Sequence, residues 1–181
     1  PVKAKVVIIV SSSGKAAAVK LPVFNALMKK GMAAFLPDLR GFGETDEGYN
    51  VEHMLVTDSY MLGEPVFGRR VWDIIRSVDY LASRKDVDAR GISCYGRGAD
   101  GLACAYAAAL DDRISATVVE KSLVSYMLVF EKARKKNPLS NAPGVVVGVD
   151  DTPEWFYMPG VLKHFDIPDV LAAIAPRRLL L

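Results

Sequence analysis

The chain has 181 residues, of which 51% are hydrophobic and 24% charged, and its formal net charge is +2. That balance excludes a disordered segment, and the length suits one domain with a sizeable buried core. The densest basic run, Lys132-Ala133-Arg134-Lys135-Lys136, reads as a solvated helix end, so no nucleic-acid partner is indicated.

Cys94 and Cys104 are the only cysteines, without metal-ligand spacing, and the two histidines, His53 and His164, lie far apart. A structural metal is therefore not expected. No apolar run is long enough to span a membrane. The chain starts at Pro1 and stops on Arg177-Arg178-Leu179-Leu180-Leu181, which reads as a strand cut short. A fragment of a longer parent protein is the expectation, with residues 1–181 forming a single domain.

In chain order, Ala4 to Val10 is a Val- and Ile-rich run of the kind buried on both faces of a sheet. Ser11-Ser12-Ser13-Gly14 is a polar turn. Leu21 to Lys30 has helical spacing and Gly31 ends it as a C-cap. Met32 to Leu36 is the second strand, which makes a β-α-β unit with parallel pairing. Asp38-Leu39-Arg40-Gly41-Phe42-Gly43-Glu44-Thr45 opens a segment expected to be irregular to about Pro65. From Phe67 to Arg84, Phe67, Val71, Ile74, Ile75, Val78 and Leu81 fall on one helix face, with Arg69, Arg70, Asp73 and Arg76 mostly opposite.

A third strand then runs into Gly96-Arg97-Gly98-Ala99-Asp100-Gly101, followed by a small-residue helix to Leu110. Ile114 to Glu120 is the fourth strand and Ser122 to Lys135 a helix. Asn137 to Pro159 is turn-rich and carries the aromatic cluster around Trp155. Ile167 to Ile174 is a short helix, and Arg178 to Leu181 the last strand. Five strands alternating with helices define an α/β doubly wound, mostly parallel sheet.

Three motifs carry a resemblance. Asp38-Leu39-Arg40-Gly41-Phe42-Gly43 resembles the D-x-R-G-x-G turn of the α/β-hydrolases. The helix from Arg69 to Arg84 with Asp86-Val87-Asp88 resembles their R-x-x-x-D-x-x-x-x-x-D-Y-L helix and the turn into the nucleophile elbow. The closing segment Leu162-Lys163-His164-Phe165-Asp166-Ile167-Pro168-Asp169-Val170-Leu171-Ala172-Ala173-Ile174-Ala175-Pro176-Arg177 resembles the D-x-P-D-L-x-A-x-x-A-P-R segment of the acetyl-xylan-esterase and cephalosporin-deacetylase-like (dienelactone-hydrolase-like) branch.

The resemblance implies a partial α/β-hydrolase core with strand order 4-3-5-6-7, lacking the family's first two strands and its last. It implies descent from carboxylic ester hydrolases, with a small-molecule ester or carbohydrate-ester ligand and no cofactor. It also places the elbow tip on Gly98, which has no side chain to act as nucleophile. The chain is thus expected to be inactive as a serine hydrolase, and a non-catalytic binding or scaffold role stays open. The family's acid and histidine fall beyond Leu181.

By the same resemblance, Gly14 and Ala99 are the oxyanion-hole candidates, and Glu120 is a possible acid at a strand end. Arg97, Asp100, Ser125, Tyr126 and Trp155 are pocket candidates. Cys94, in the strand, reads as a buried thiol rather than a nucleophile. A competing reading stays open: Gly96, Gly98 and Gly101 also spell G-x-G-x-x-G, with Glu120 where a ribose-binding carboxylate belongs in a dinucleotide-binding Rossmann-type domain.

Overall fold

The structure, a computed structural model, describes residues 3–46, 48–129, 131 and 158–181. Its elements are β1 (Ala4–Ile9), α1 (Lys15–Ala18), α2 (Pro22–Lys29), β2 (Ala33–Phe35), α3 (Tyr49–Met61), α4 (Val66–Ser83), β3 (Val87–Arg97), α5 (Ala99–Leu110), β4 (Ala116–Glu120), α6 (Ile167–Ala172) and β5 (Arg178–Leu180). The strands form one five-stranded sheet in the order β2-β1-β3-β4-β5. Every pairing is parallel. This is the order 4-3-5-6-7 that the resemblance implied.

The alternation of side chains along β1 explains how both faces are covered. Val6, Ile8 and Val10 point into one apolar cluster, where they meet α4, α5 and α6. Val7 and Ile9 point the other way and meet Ala18 of α1 and Val23, Phe24 and Leu27 around α2. A strand buried on both sides has no polar face to show, so the run reads as continuously apolar. On α4 the stripe of Phe67, Val71, Ile74, Val78 and Leu81 is buried as its spacing predicts.

Three sequence expectations are corrected. The segment from Asp38 to Pro65 is not irregular throughout, because it contains the thirteen-residue α3. That helix carries no clear apolar stripe, so periodicity could not reveal it. Tertiary contacts hold it: Ser59 Oγ donates to the Val56 carbonyl at 2.7 Å and accepts the Val66 N–H at 3.1 Å, tying α3 to α4.

Second, Arg70 is not on the solvent face of α4 but fully buried. Its Nε donates to the Arg40 carbonyl at 2.9 Å and its guanidinium lies 3.7 Å from the Phe42 ring centroid. The Arg40-Gly41-Phe42 turn thus folds over this cation, a partner thirty residues away that helix periodicity does not register. Third, of the helix expected over Ser122 to Lys135, the described residues are helical at 126–129 and 131. Residues 132–157, with most of the turn-rich segment and Trp155, lie outside the described residues.

Candidate functional site: a glycine elbow with a buried aspartate

β3 ends at Arg97 in the middle of the sheet and α5 starts at Ala99, so one residue, Gly98, makes the whole reversal. Its backbone sits at φ 61° and ψ −130°, a region that side-chain-bearing residues rarely adopt. Among the described residues a Cβ built there would meet nothing within 4 Å. Its N–H donates to the Glu120 carbonyl at 2.8 Å, which anchors the turn to the end of β4.

The glycines on either side serve a different need. A Cβ on Gly96 would stand 2.5 Å from the Asp100 carbonyl carbon and oxygen, and one on Gly101 would stand 2.7 Å from the Gly96 carbonyl oxygen. Strand and helix touch backbone to backbone, which no larger residue permits.

Asp100 lies in the first turn of α5 and is only 7% exposed. Its Oδ2 accepts the Ser12 N–H at 2.8 Å, bridging the loop after β1 to the elbow. Its Oδ1 is buried without a hydrogen-bond partner among the described residues. Burial pushes this carboxyl above the usual carboxylate range, and the hydrogen bond from Ser12 and the charge of Arg70 offset that only in part.

The sign of the pH dependence follows. A folded-state value above the unfolded one means stability that is fully present below the unfolded value and lost as pH rises through the folded value. Asp100→Asn, which keeps the shape without the charge, is therefore expected to be more stable than the parent at pH 7. We expect a gain of about 1 kcal/mol, because the buried charge is relieved while the amide NH2 inherits the place without a partner. The gain should fade toward pH 3, and urea denaturation at the two pH values measures it. An Asn variant less stable than the parent at pH 7 would mean that the carboxylate's attractions outweigh its burial.

The oxyanion candidates separate. Gly14 does not offer its N–H, which donates to the Ser11 carbonyl at 2.9 Å within the turn. The donor on this loop that faces the elbow is Ser12, which sequence reasoning missed because a backbone N–H leaves no signature in residue type. Ala99 is the first residue of α5, a position whose N–H has no preceding helical carbonyl to bind.

Glu120, the possible acid, is a strand-end carboxylate with a 44% exposed side chain. Its Oε2 accepts the Tyr95 hydroxyl at 2.6 Å, and Arg97 lies 3.6 Å from its Oε1. Burial, then the hydrogen bond to Glu120, raises the Tyr95 phenol to about 12. The Arg97 side chain is half-exposed beside this pair.

Ser125 and Tyr126 are held by Asp166. Tyr126 is a core side chain, 1% exposed, and Ser125 Oγ donates to Asp166 Oδ2 at 2.5 Å. The same carboxylate accepts the N–H groups of Tyr126 and Ile167, each at 2.7 Å, so it caps α6 and the helical turn at 126–129 together. Burial alone would raise the Asp166 carboxyl, but the hydrogen bonds from Ser125, Tyr126, Ile167 and Met127 outweigh it and hold it below the usual range.

Cys94 and Cys104 are buried behind the elbow with sulfurs 3.0 Å apart, and burial pushes the Cys104 thiol up. Among the described residues no three His, Cys, Asp or Glu side chains gather as a metal site. No helix among them is long and apolar enough to cross a membrane. An open groove of about 690 Å³, bounded by Trp72, Leu110, Arg113 and Arg177, lies at the far end of α5 from the elbow. Twelve helical residues, about 18 Å, separate the two.

A parallel sheet in this order, with a one-residue reversal at the carboxyl end of its central strand, is the α/β-hydrolase fold. No protein-family model matches the sequence. The chain is 28% identical over 159 residues to the Bacillus subtilis protein named "Putative hydrolase YtaP", a match covering 87% of this chain and 48% of that protein. It therefore spans about half the length of the curated relative it matches.

Among solved structures, a "putative acetyl xylan esterase" from Bacteroides fragilis aligns with a TM-score of 0.77 at 16% identity, over 99% of this chain and 51% of that one. The α/β-hydrolase GrgF from Penicillium aligns with a TM-score of 0.60 at 15% identity, over 99% and 71%. A glucuronoyl esterase from Solibacter usitatus gives 0.55 at 17% identity, over 97% and 54%. The chain thus has the α/β-hydrolase fold and resembles the esterase-like proteins that share it.

Proposed function

We propose that this chain is the core of a protein related to carboxylic ester hydrolases that holds a small ester or carbohydrate-ester ligand without covalent serine chemistry of its own. The observation that carries this reading is Gly98. The tip where the fold presents a nucleophile has the strained backbone of such a position, room for a Cβ among the described residues, and no side chain. A binding role rather than turnover is what remains for the elbow.

Two assays test it. A short-chain activated ester should not be turned over, and a serine-directed fluorophosphonate should not label the chain. Stoichiometric labelling of any residue in 96–101 would show that the nucleophile stands elsewhere in the turn. Gly98→Ser alone should likewise give no efficient esterase, because a serine gains nucleophilicity only from a base within hydrogen-bond reach. High turnover from that single variant would mean that a base stands near the tip.

The dinucleotide reading fares less well on physical grounds. A pyrophosphate at the start of α5 would meet the Asp100 carboxylate, which already uses the Ser12 N–H. The glycine motif also follows the third strand in sequence rather than the first, where that fingerprint belongs.

A further inference from the structure

We infer that Cys94 and Cys104 are a disulfide-forming pair, a covalent modification site that locks the helix after the elbow onto the central strand. Cys94 lies on β3 and Cys104 on α5, and the Cys94 thiol donates to Cys104 Sγ at 3.0 Å. A disulfide holds its sulfurs about 2 Å apart, so a movement of about 1 Å closes the bond. The site is independent of whether the elbow binds an ester.

The fold imposes this approach. Cys94 stands opposite Ile8 on one side and Thr117 on the other, so its strand is held in the middle of the sheet. α5 packs on β4 and α4 as well as on β3. Between the two cysteines, Gly96 and Gly101 bring strand and helix together backbone to backbone. Cysteines placed only to fill the core need not meet sulfur to sulfur, because a small apolar side chain fills the same space. These two meet inside one apolar cluster, and both are free thiols. Unfolding releases them into a flexible loop in which they seldom meet. By linkage, the native fold therefore favours the bond by the same factor as the bond favours the fold.

The oxidant is a low-molecular-weight disulfide, here glutathione disulfide. One cysteine thiolate attacks it, which forms a mixed disulfide and releases one glutathione. The other cysteine thiolate then attacks the protein sulfur of that mixed disulfide, forming the Cys94–Cys104 bond and releasing the second glutathione. The two protein thiols lose two electrons and two protons, and the glutathione disulfide takes up both as two thiols. In the folded chain both cysteines are buried, and burial pushes the Cys104 thiol up. The exchange therefore runs in the open chain, and folding seals its product.

The test equilibrates the full chain in a series of glutathione and glutathione disulfide mixtures, under native conditions and in denaturing urea. Free thiols are blocked with iodoacetamide, and mass spectrometry counts the chains that carry an intrachain bond. The native equilibrium is approached both from the reduced folded chain and from the chain diluted out of urea, so slow access to the core does not hide the result. The equilibrium constant for the bond should be at least about tenfold larger in the native chain than in urea. Cys94→Ala and Cys104→Ala should each abolish the intrachain species. A native constant equal to or below that in urea would overturn the inference. So would mixed disulfides or bonds between chains in place of the intrachain one.

Discussion

Gly96→Ala is expected to cost about 3 kcal/mol or more of stability, because an atom is forced into a backbone contact that has no flexible side chain to yield. The added Cβ would stand 2.5 Å from the Asp100 carbonyl group and 2.6 Å from the Gly101 nitrogen. Relief requires moving α5 away from β3, and α5 packs on β4 and α4 as well. Gly98→Ala, two residues on, meets no atom of the described residues within 4 Å and bears only the cost of its strained backbone, about 1–2 kcal/mol. Urea midpoints of the two variants measure the difference. A Gly96 variant as stable as the Gly98 variant would show that strand and helix are not in contact at the elbow. The contrast matters for function, since it separates the residues that build the turn from the one that presents its tip.

Asp166→Ala should be nearly as damaging, at about 2–3 kcal/mol. Loss of one N-cap costs about 1 kcal/mol, and this carboxylate caps two helical starts while also binding Ser125 Oγ; partial solvent exposure keeps the sum from being larger. Its pH dependence is opposite to that of Asp100. The folded-state value is depressed, so the stabilisation is present above the unfolded carboxylate value and is lost as pH falls through the folded one. Parent and variant should therefore differ most near pH 7 and converge in acid. A gap that stayed constant down to pH 2 would indicate lost packing rather than lost charge-assisted bonds. Ser125→Ala, which removes the donor to Asp166 and the weak acceptor of the Leu128 N–H at 3.3 Å, should cost about 1 kcal/mol.

The two aspartates show which part of the site was legible in sequence. The spacing Asp166-Ile167-Pro168-Asp169 marks a helix start, with Pro168 at its second position and Asp169 Oδ2 accepting the Asp166 N–H at 2.9 Å. Nothing local said that Asp166 would also reach Ser125, forty-one residues earlier, because that pairing exists only once α6 packs beside the chain leaving β4. Asp100 was visible as a departure from a glycine pattern, but its contact with Ser12 spans eighty-eight residues and involves a backbone donor.

What the sequence determined by itself was the alternation of buried strands and helices and the place of the glycine turn. Those depend on local period and on where only a glycine fits, and both are written in consecutive residues. The tertiary structure alone decided that α3 is a helix, that Arg70 is buried under the Arg40-Gly41-Phe42 turn, and that Ser12 rather than Gly14 faces the elbow. Each of these rests on partners distant in the chain, and on backbone N–H and C=O groups that every residue carries alike, so no choice of side chain announces them.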